Sequence, residues 1–144
     1  MKKTLLALAT ALLLYGCSSQ LPRKELPCEG SVVKGCQPVV YYNFNSYEIS
    51  PMGKERLDWV FEKMERYPRY HLRIEGFSDL KVKDVAYAKR LSYARALVAK
   101  EYLVKKGIAD FRITVEGLGT EPTICFQDKC QGVNRRIQLE LYKP

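Results

Sequence analysis

Two hydrophobic periods take turns along residues 39–144. Val40, Tyr42 and Phe44 alternate with Val39, Tyr41 and Asn43, the period of two that predicts a strand. Ser50-Pro51 then offers a helix cap and a first helical residue, because Pro fits where no intrahelical N–H bond is needed. Leu57, Val60, Phe61 and Met64 follow at helical spacing, with Lys54, Glu55, Asp58, Glu62 and Arg66 on the other side, and Pro68 stops the helix. The period of two returns at Tyr70, Leu72 and Ile74, set against His71, Arg73 and Glu75. A long helix is predicted over 83–106, with Gly107 at its C-terminal end. Phe111, Ile113 and Val115 predict a third strand, closed by Gly117 and Gly119, and Ile137, Leu139 and Leu141 a fourth. This order predicts an α/β (α+β) sandwich in which helices cover one face of a small mixed sheet.

Residues 1–16 follow neither period. Lys2 and Lys3 precede an apolar run from Leu5 to Tyr15, too short for a membrane span and of the form of a secretory signal. Leu14-Tyr15-Gly16-Cys17 resembles a bacterial lipobox, which implies cleavage before Cys17 and lipid on that cysteine. More than one acyl chain makes such an anchor stable. Ser18 at the next position resembles lipoproteins sorted to the outer membrane. Residues 17–38 then form a lipidated tether, with Pro22, Pro27, Pro38, Gly30 and Gly35 breaking any regular structure. The domain is expected at 39–144, facing the periplasm.

Charge and cysteines narrow the picture. The chain carries +8, and loss of Lys2 and Lys3 lowers this by two, to +6. Secretion excludes nucleic acid, and the basic residues are dispersed with no aromatic interleaving, as on a solvated face. With Cys17 lipidated, four of the five cysteines remain for an oxidising compartment, and three connectivities are open. The most economical joins Cys28 to Cys36 and Cys125 to Cys130, each closing a short polar loop. The spacings are too long for Cys-x-x-Cys ligand pairs and His71 is the sole histidine, so neither zinc nor another cofactor is expected.

The segment 73–96 holds the candidate chemistry. A strand runs into Gly76-Phe77-Ser78-Asp79, and the next helix carries Leu91-Ser92-Tyr93-Ala94-Arg95-Ala96. Ala88, Leu91 and Arg95 share one helical face. These two motifs, followed by Asn134-Arg135-Arg136-Ile137, resemble in order the signatures of the OmpA-like domain, the peptidoglycan-binding module of peptidoglycan-associated lipoproteins. The resemblance runs from about Val39 to Tyr142. It implies that Asp79 accepts from the ammonium, and Arg95 donates to the carboxylate, of diaminopimelate in the stem peptide, since guanidinium pairs bidentately with carboxylate. It further implies that Leu91 walls the pocket, that Asn45 in Phe44-Asn45-Ser46 approaches the ligand, and that Arg136 reaches the ligand or its support.

The chain departs from the family pattern in three places. Phe77 stands for the usual His before Ser78-Asp79. The stretch between Asp79 and Leu91 is one residue longer and lacks glycine, and Ala88 replaces an Asn. The last change removes a ligand hydrogen bond, a loss on the order of 1.5–3 kcal/mol unless Lys81 or Lys83 compensates. Taken singly, the same residues also fit plainer roles, Asp79 as a turn residue and Arg95 as a surface arginine paired with Asp79 or Glu101.

The expectation is an outer-membrane lipoprotein that grips peptidoglycan and is held to the membrane by lipid at Cys17. The alternative is an OmpA-like interaction module with a weakened pocket, scaffolding a Tol-like or secretion complex of the envelope. No nucleophile–base motif points to an enzyme.

Overall fold

The computed structural model describes residues 37–144. The signal, Cys17, most of the tether and the Cys28–Cys36 pair lie outside the described residues. Four strands and two α-helices follow in the order β1 (Val39–Tyr41), α1 (Pro51–Arg66), β2 (His71–Gly76), α2 (Val85–Lys106), β3 (Ile113–Gly117) and β4 (Arg136–Tyr142). The sheet order is β1-β4-β2-β3. β2 and β3 run parallel, joined across α2, while β4 is antiparallel to both β1 and β2. This is the mixed sheet expected from the hydrophobic pattern.

One face of the sheet makes the core. Val40, Leu72, Ile74, Ile113, Ile137 and Leu139 project from the strands onto Leu57, Val60 and Met64 of α1 and Ala96, Ala99 and Leu103 of α2. The alanines let α2 lie close to the sheet. Two glycines bring it closer still: a Cβ on Gly76 would stand 1.9 Å from the Ser92 carbonyl oxygen, and one on Gly117 2.6 Å from the Tyr93 nitrogen. The other face is open, and there Arg73 pairs with Glu140 directly across β2 and β4 at 3.0 Å.

The helix ends carry the expected capping chemistry. Ser50 Oγ accepts from Gly53 N–H at 3.1 Å, with Pro51 as the first helical residue. α2 starts at Val85 rather than Lys83, because Asp84 Oδ1 accepts from Tyr87 N–H at 2.9 Å and makes Asp84 the cap. Gly107, at φ 120°, ends it.

Two aromatics sit differently from the sequence expectation. β1 stops at Tyr41, and Phe44 is 59% exposed, since the chain turns through Asn45 at φ 48°. Phe111 lies in a 3-10 turn, Asp110–Arg112, and is 76% exposed, so β3 begins only at Ile113. A second 3-10 segment, Asp128–Asn134, leads into β4. A Cys125–Cys130 disulfide, with Cα atoms 6.0 Å apart, ties its first turn to the loop before it.

Candidate functional site

The site forms where β2 leaves the sheet. Phe77 N–H donates to the Arg136 carbonyl at 2.8 Å, and Ser78 N–H to the Gly119 carbonyl at 2.6 Å. The loop is thereby pinned to β4 on one side and to the turn after β3 on the other. Asp79 is 1% exposed as a result. Its Oδ2 accepts from Arg135 Nη1 at 2.8 Å, while its Oδ1 and the neighbouring Ser78 Oγ are buried without any hydrogen-bond partner. A buried carboxylate oxygen left unpaired is costly and marks a place where a cationic donor fits.

Arg95 comes up beneath this loop from α2. It is fully buried, which excludes the plainer role of a surface arginine. Nε donates to the Ser46 carbonyl at 2.8 Å, Nη1 to the Phe77 carbonyl at 2.8 Å and Nη2 to the Asn43 carbonyl at 3.3 Å. One guanidinium thus ties the turn after β1 to the loop after β2, and two of its five N–H groups stay unspent. Burial pulls its pKa down to about 10, against which the Asp79 charge and the Tyr42 phenol work. The Tyr42 ring lies 5.4 Å from the guanidinium, its hydroxyl donates to the Arg95 carbonyl at 3.1 Å, and burial raises its own pKa.

The remaining residues are placed unevenly. Leu91 and Ala88 are buried on the same face of α2 as Arg95. Asn45 is exposed, and its Oδ1 accepts from Tyr87 Oη at 2.6 Å, so the turn after β1 is also latched to the first turn of α2. Arg136 does not meet Asp79. It points to the open side of the sheet, where its guanidinium stacks 3.9 Å from the Phe77 ring centre and Nη2 donates to the Pro122 carbonyl at 3.3 Å. Burial lowers its pKa, and Nε and Nη1 have no partner. The arginine on Asp79 is Arg135, which also donates from Nε to the Tyr42 carbonyl at 3.2 Å. The alternation in β4 could have pointed to it: with Ile137 facing the core, Arg136 must face away.

The described surface also holds a groove of about 450 Å³ between the helices, lined by Tyr47, Lys54, Val98, Tyr102 and Lys105. It lies apart from the carboxylate and brings no comparable cluster of buried polar groups together.

The site is thus a buried carboxylate with Arg135 on one oxygen and Arg95 beneath its loop, at the end of β2. The profile of the OmpA family matches residues 41–136, and the chain belongs to that family. It is 27% identical over 150 residues to the peptidoglycan-associated lipoprotein of Rhizobium meliloti, covering 92% of this chain and 83% of that one. It is 29% identical over 126 residues to outer membrane protein A of Bordetella avium, covering 86% of this chain and 63% of the relative. For outer membrane protein A of Shimwellia blattae the identity is 30% over 102 residues, 69% of this chain and 42% of the relative. The chain thus spans about half the length of these outer membrane proteins. Among solved structures, the peptidoglycan-associated lipoprotein from Burkholderia pseudomallei superposes with a TM-score of 0.67 at 24% identity, over 72% of this chain and 89% of that one. That likeness is one of fold.

Proposed function

We propose that this chain is an outer-membrane lipoprotein that binds peptidoglycan non-covalently and ties the membrane to the cell wall. The observation that carries the reading is Asp79: a buried carboxylate with one oxygen unpartnered and two arginines at its side. That arrangement suits the ammonium and carboxylate on one carbon at the distal end of diaminopimelate. Asp79 takes the ammonium, and Arg95 offers its two unspent N–H groups to the carboxylate. Leu91 walls the pocket, Asn45 sets the rim through Tyr87, and Arg136 supports the loop by stacking under Phe77. The names of the relatives, outer membrane proteins and peptidoglycan-associated lipoproteins, support the compartment and the ligand class. In this reading the chain is a binding module and not an enzyme. Lipid on Cys17 anchors it, and the Cys28–Cys36 disulfide stiffens the tether.

Co-sedimentation with purified diaminopimelate-type cell wall tests the proposal. The wild-type protein should pellet, and Asp79→Ala should stay in the supernatant while keeping its circular dichroism spectrum. If Asp79→Ala pellets as the wild type does, the pocket lies elsewhere.

A second reading is favoured by one observation. Arg95 already spends three donors on its own main chain, and Arg135 already occupies one oxygen of Asp79. A pocket closed in this way suits an interaction module that scaffolds Tol-type or other envelope proteins. Wild-type protein that fails to pellet with any cell wall, yet crosslinks to a defined envelope protein in cells, would establish that reading instead.

A further inference from the structure

Gln131 lies outside the three motifs, yet it is 2% exposed and each of its amide's four hydrogen-bonding positions is engaged. Oε1 accepts from Leu80 N–H at 3.0 Å and from Asn134 Nδ2 at 3.1 Å. Nε2 donates to the carbonyls of Cys125 at 3.0 Å and Gln127 at 3.2 Å. The orientation of the amide is therefore forced, with its oxygen towards Leu80. Asn134, fully buried, completes the net: its Oδ1 accepts from Ile124 and Cys125 N–H at 3.0 and 3.1 Å, and its Nδ2 donates to the Cys125 carbonyl at 2.6 Å.

The net joins two things that matter for Asp79. On one side stands Leu80, the next residue, whose amide would otherwise be free to turn. On the other stands the loop that the Cys125–Cys130 disulfide closes, one residue before Gln131. The same segment delivers Arg135, whose N–H donates to the Gly132 carbonyl at 3.3 Å and whose Nη1 holds Asp79 Oδ2. Asp79 is thus gripped twice from one loop, on its side chain through Arg135 and on its main chain through Gln131. Arg135 leaves Oδ1 unpaired, and a carboxylate is rotatable. What keeps that oxygen aimed is the backbone on which it sits.

We propose that Gln131 is a positioning residue for the ligand site, holding the Asp79–Leu80 backbone against the disulfide-closed loop so that Asp79 Oδ1 faces the ligand ammonium. This rests on the peptidoglycan reading above. The test is Gln131→Met, which keeps the length of the side chain and removes its acceptor and donors. Its probe is a soluble disaccharide-tripeptide ending in diaminopimelate, with affinity read by calorimetry, Leu80 amide exchange by NMR and the unfolding midpoint by circular dichroism. Of the four bonds lost, the one to Leu80 N–H bears on Asp79, and its loss predicts an affinity weaker by about tenfold, with faster Leu80 exchange. Asp79→Ala with and without Gln131→Met should bind equally weakly, because the glutamine acts through the aspartate. Faster Leu80 exchange with affinity within about twofold of wild type would overturn the proposal. Wild-type protein that binds neither this probe nor whole cell wall overturns the peptidoglycan reading itself, and the positioning role with it. Should Gln131→Met fail to fold, Cys125→Ser with Cys130→Ser opens the brace while keeping Gln131, and the same pair of readouts decides.

Discussion

At the residue scale, the environment of Arg95 is far from what a surface position would give. Burial brings its pKa down from the ordinary guanidinium value to about 10, so it is still charged at neutral pH. Between those two values the unfolded chain holds the proton that the folded chain has lost. The contribution of this group to stability therefore rises with pH across that window, and below it the buried charge is a cost that its three carbonyl acceptors offset. An NMR titration of the Arg95 Nε resonance should show a midpoint near about 10, and muropeptide affinity should fall as the charge is lost. A guanidinium that stays protonated to its ordinary range would mean that the Asp79 charge and the three carbonyl acceptors outweigh its burial. Arg95→Ala, by contrast, strands the carbonyls of Asn43, Ser46 and Phe77 and should cost about 3 kcal/mol or more in urea unfolding. It is thus a poorer probe of binding than Asp79→Ala. That Asp79 and Arg95 come together in the fold was legible in the motifs. Which of Arg135 and Arg136 lies on Asp79 was not legible in them, because adjacent residues entering a strand point to opposite faces. The motif alone does not say which face holds the site.

Among the elements, α2 decides the site, since it carries Ala88, Leu91 and Arg95 on the face that meets β2 and β3. How near it lies is set by Gly76 and Gly117. A methyl group at Gly76 would meet the Ser92 carbonyl, which is backbone and has nowhere to go. Gly76→Ala should therefore destabilise the domain by about 3 kcal/mol or more, at the upper end of overpacking, measured as a lower urea midpoint with an unchanged slope. A loss below about 1 kcal/mol would mean that α2 can move off the sheet. The helices and strands were readable because their signals are local: Ser50-Pro51, Gly107 and the period of two in β2 and β4. Phe44 and Phe111 were misplaced because alternation carries on past the point where a strand stops pairing. Strand pairing is a property of register with a distant segment, and β1 loses its partner once the chain turns at Asn45. The Gln131 net was invisible for the same reason, since Leu80 and Gln131 meet across 51 positions.

The whole molecule, on the proposed reading, has to be in two places at once. The lipid end would sit in the outer membrane and the Asp79 pocket on the wall, with residues 18–38 between them. From Cys17 to Val39 is 22 residues, which reach at most about 75 Å fully extended. A Cys28–Cys36 bond would shorten that reach by folding back a loop. Individual contacts to the wall can then be weak, because anchoring confines each copy within a short distance of many identical sites and raises their effective concentration. Two variants separate the parts. Replacing residues 1–17 by an ordinary cleavable secretory signal should leave binding of purified protein to cell wall unchanged but move the protein from the membrane fraction to the soluble periplasmic fraction. Deleting 19–27, which keeps Ser18, should leave both the anchor and the purified affinity intact and reduce only the in-cell crosslinking to peptidoglycan, since the pocket would no longer span the gap. If the chain without Cys17 remains with the membrane, the anchor is elsewhere. If the deletion crosslinks as well as wild type, reach is not what limits the bridge, and the wall must approach the membrane more closely than the length of the tether requires.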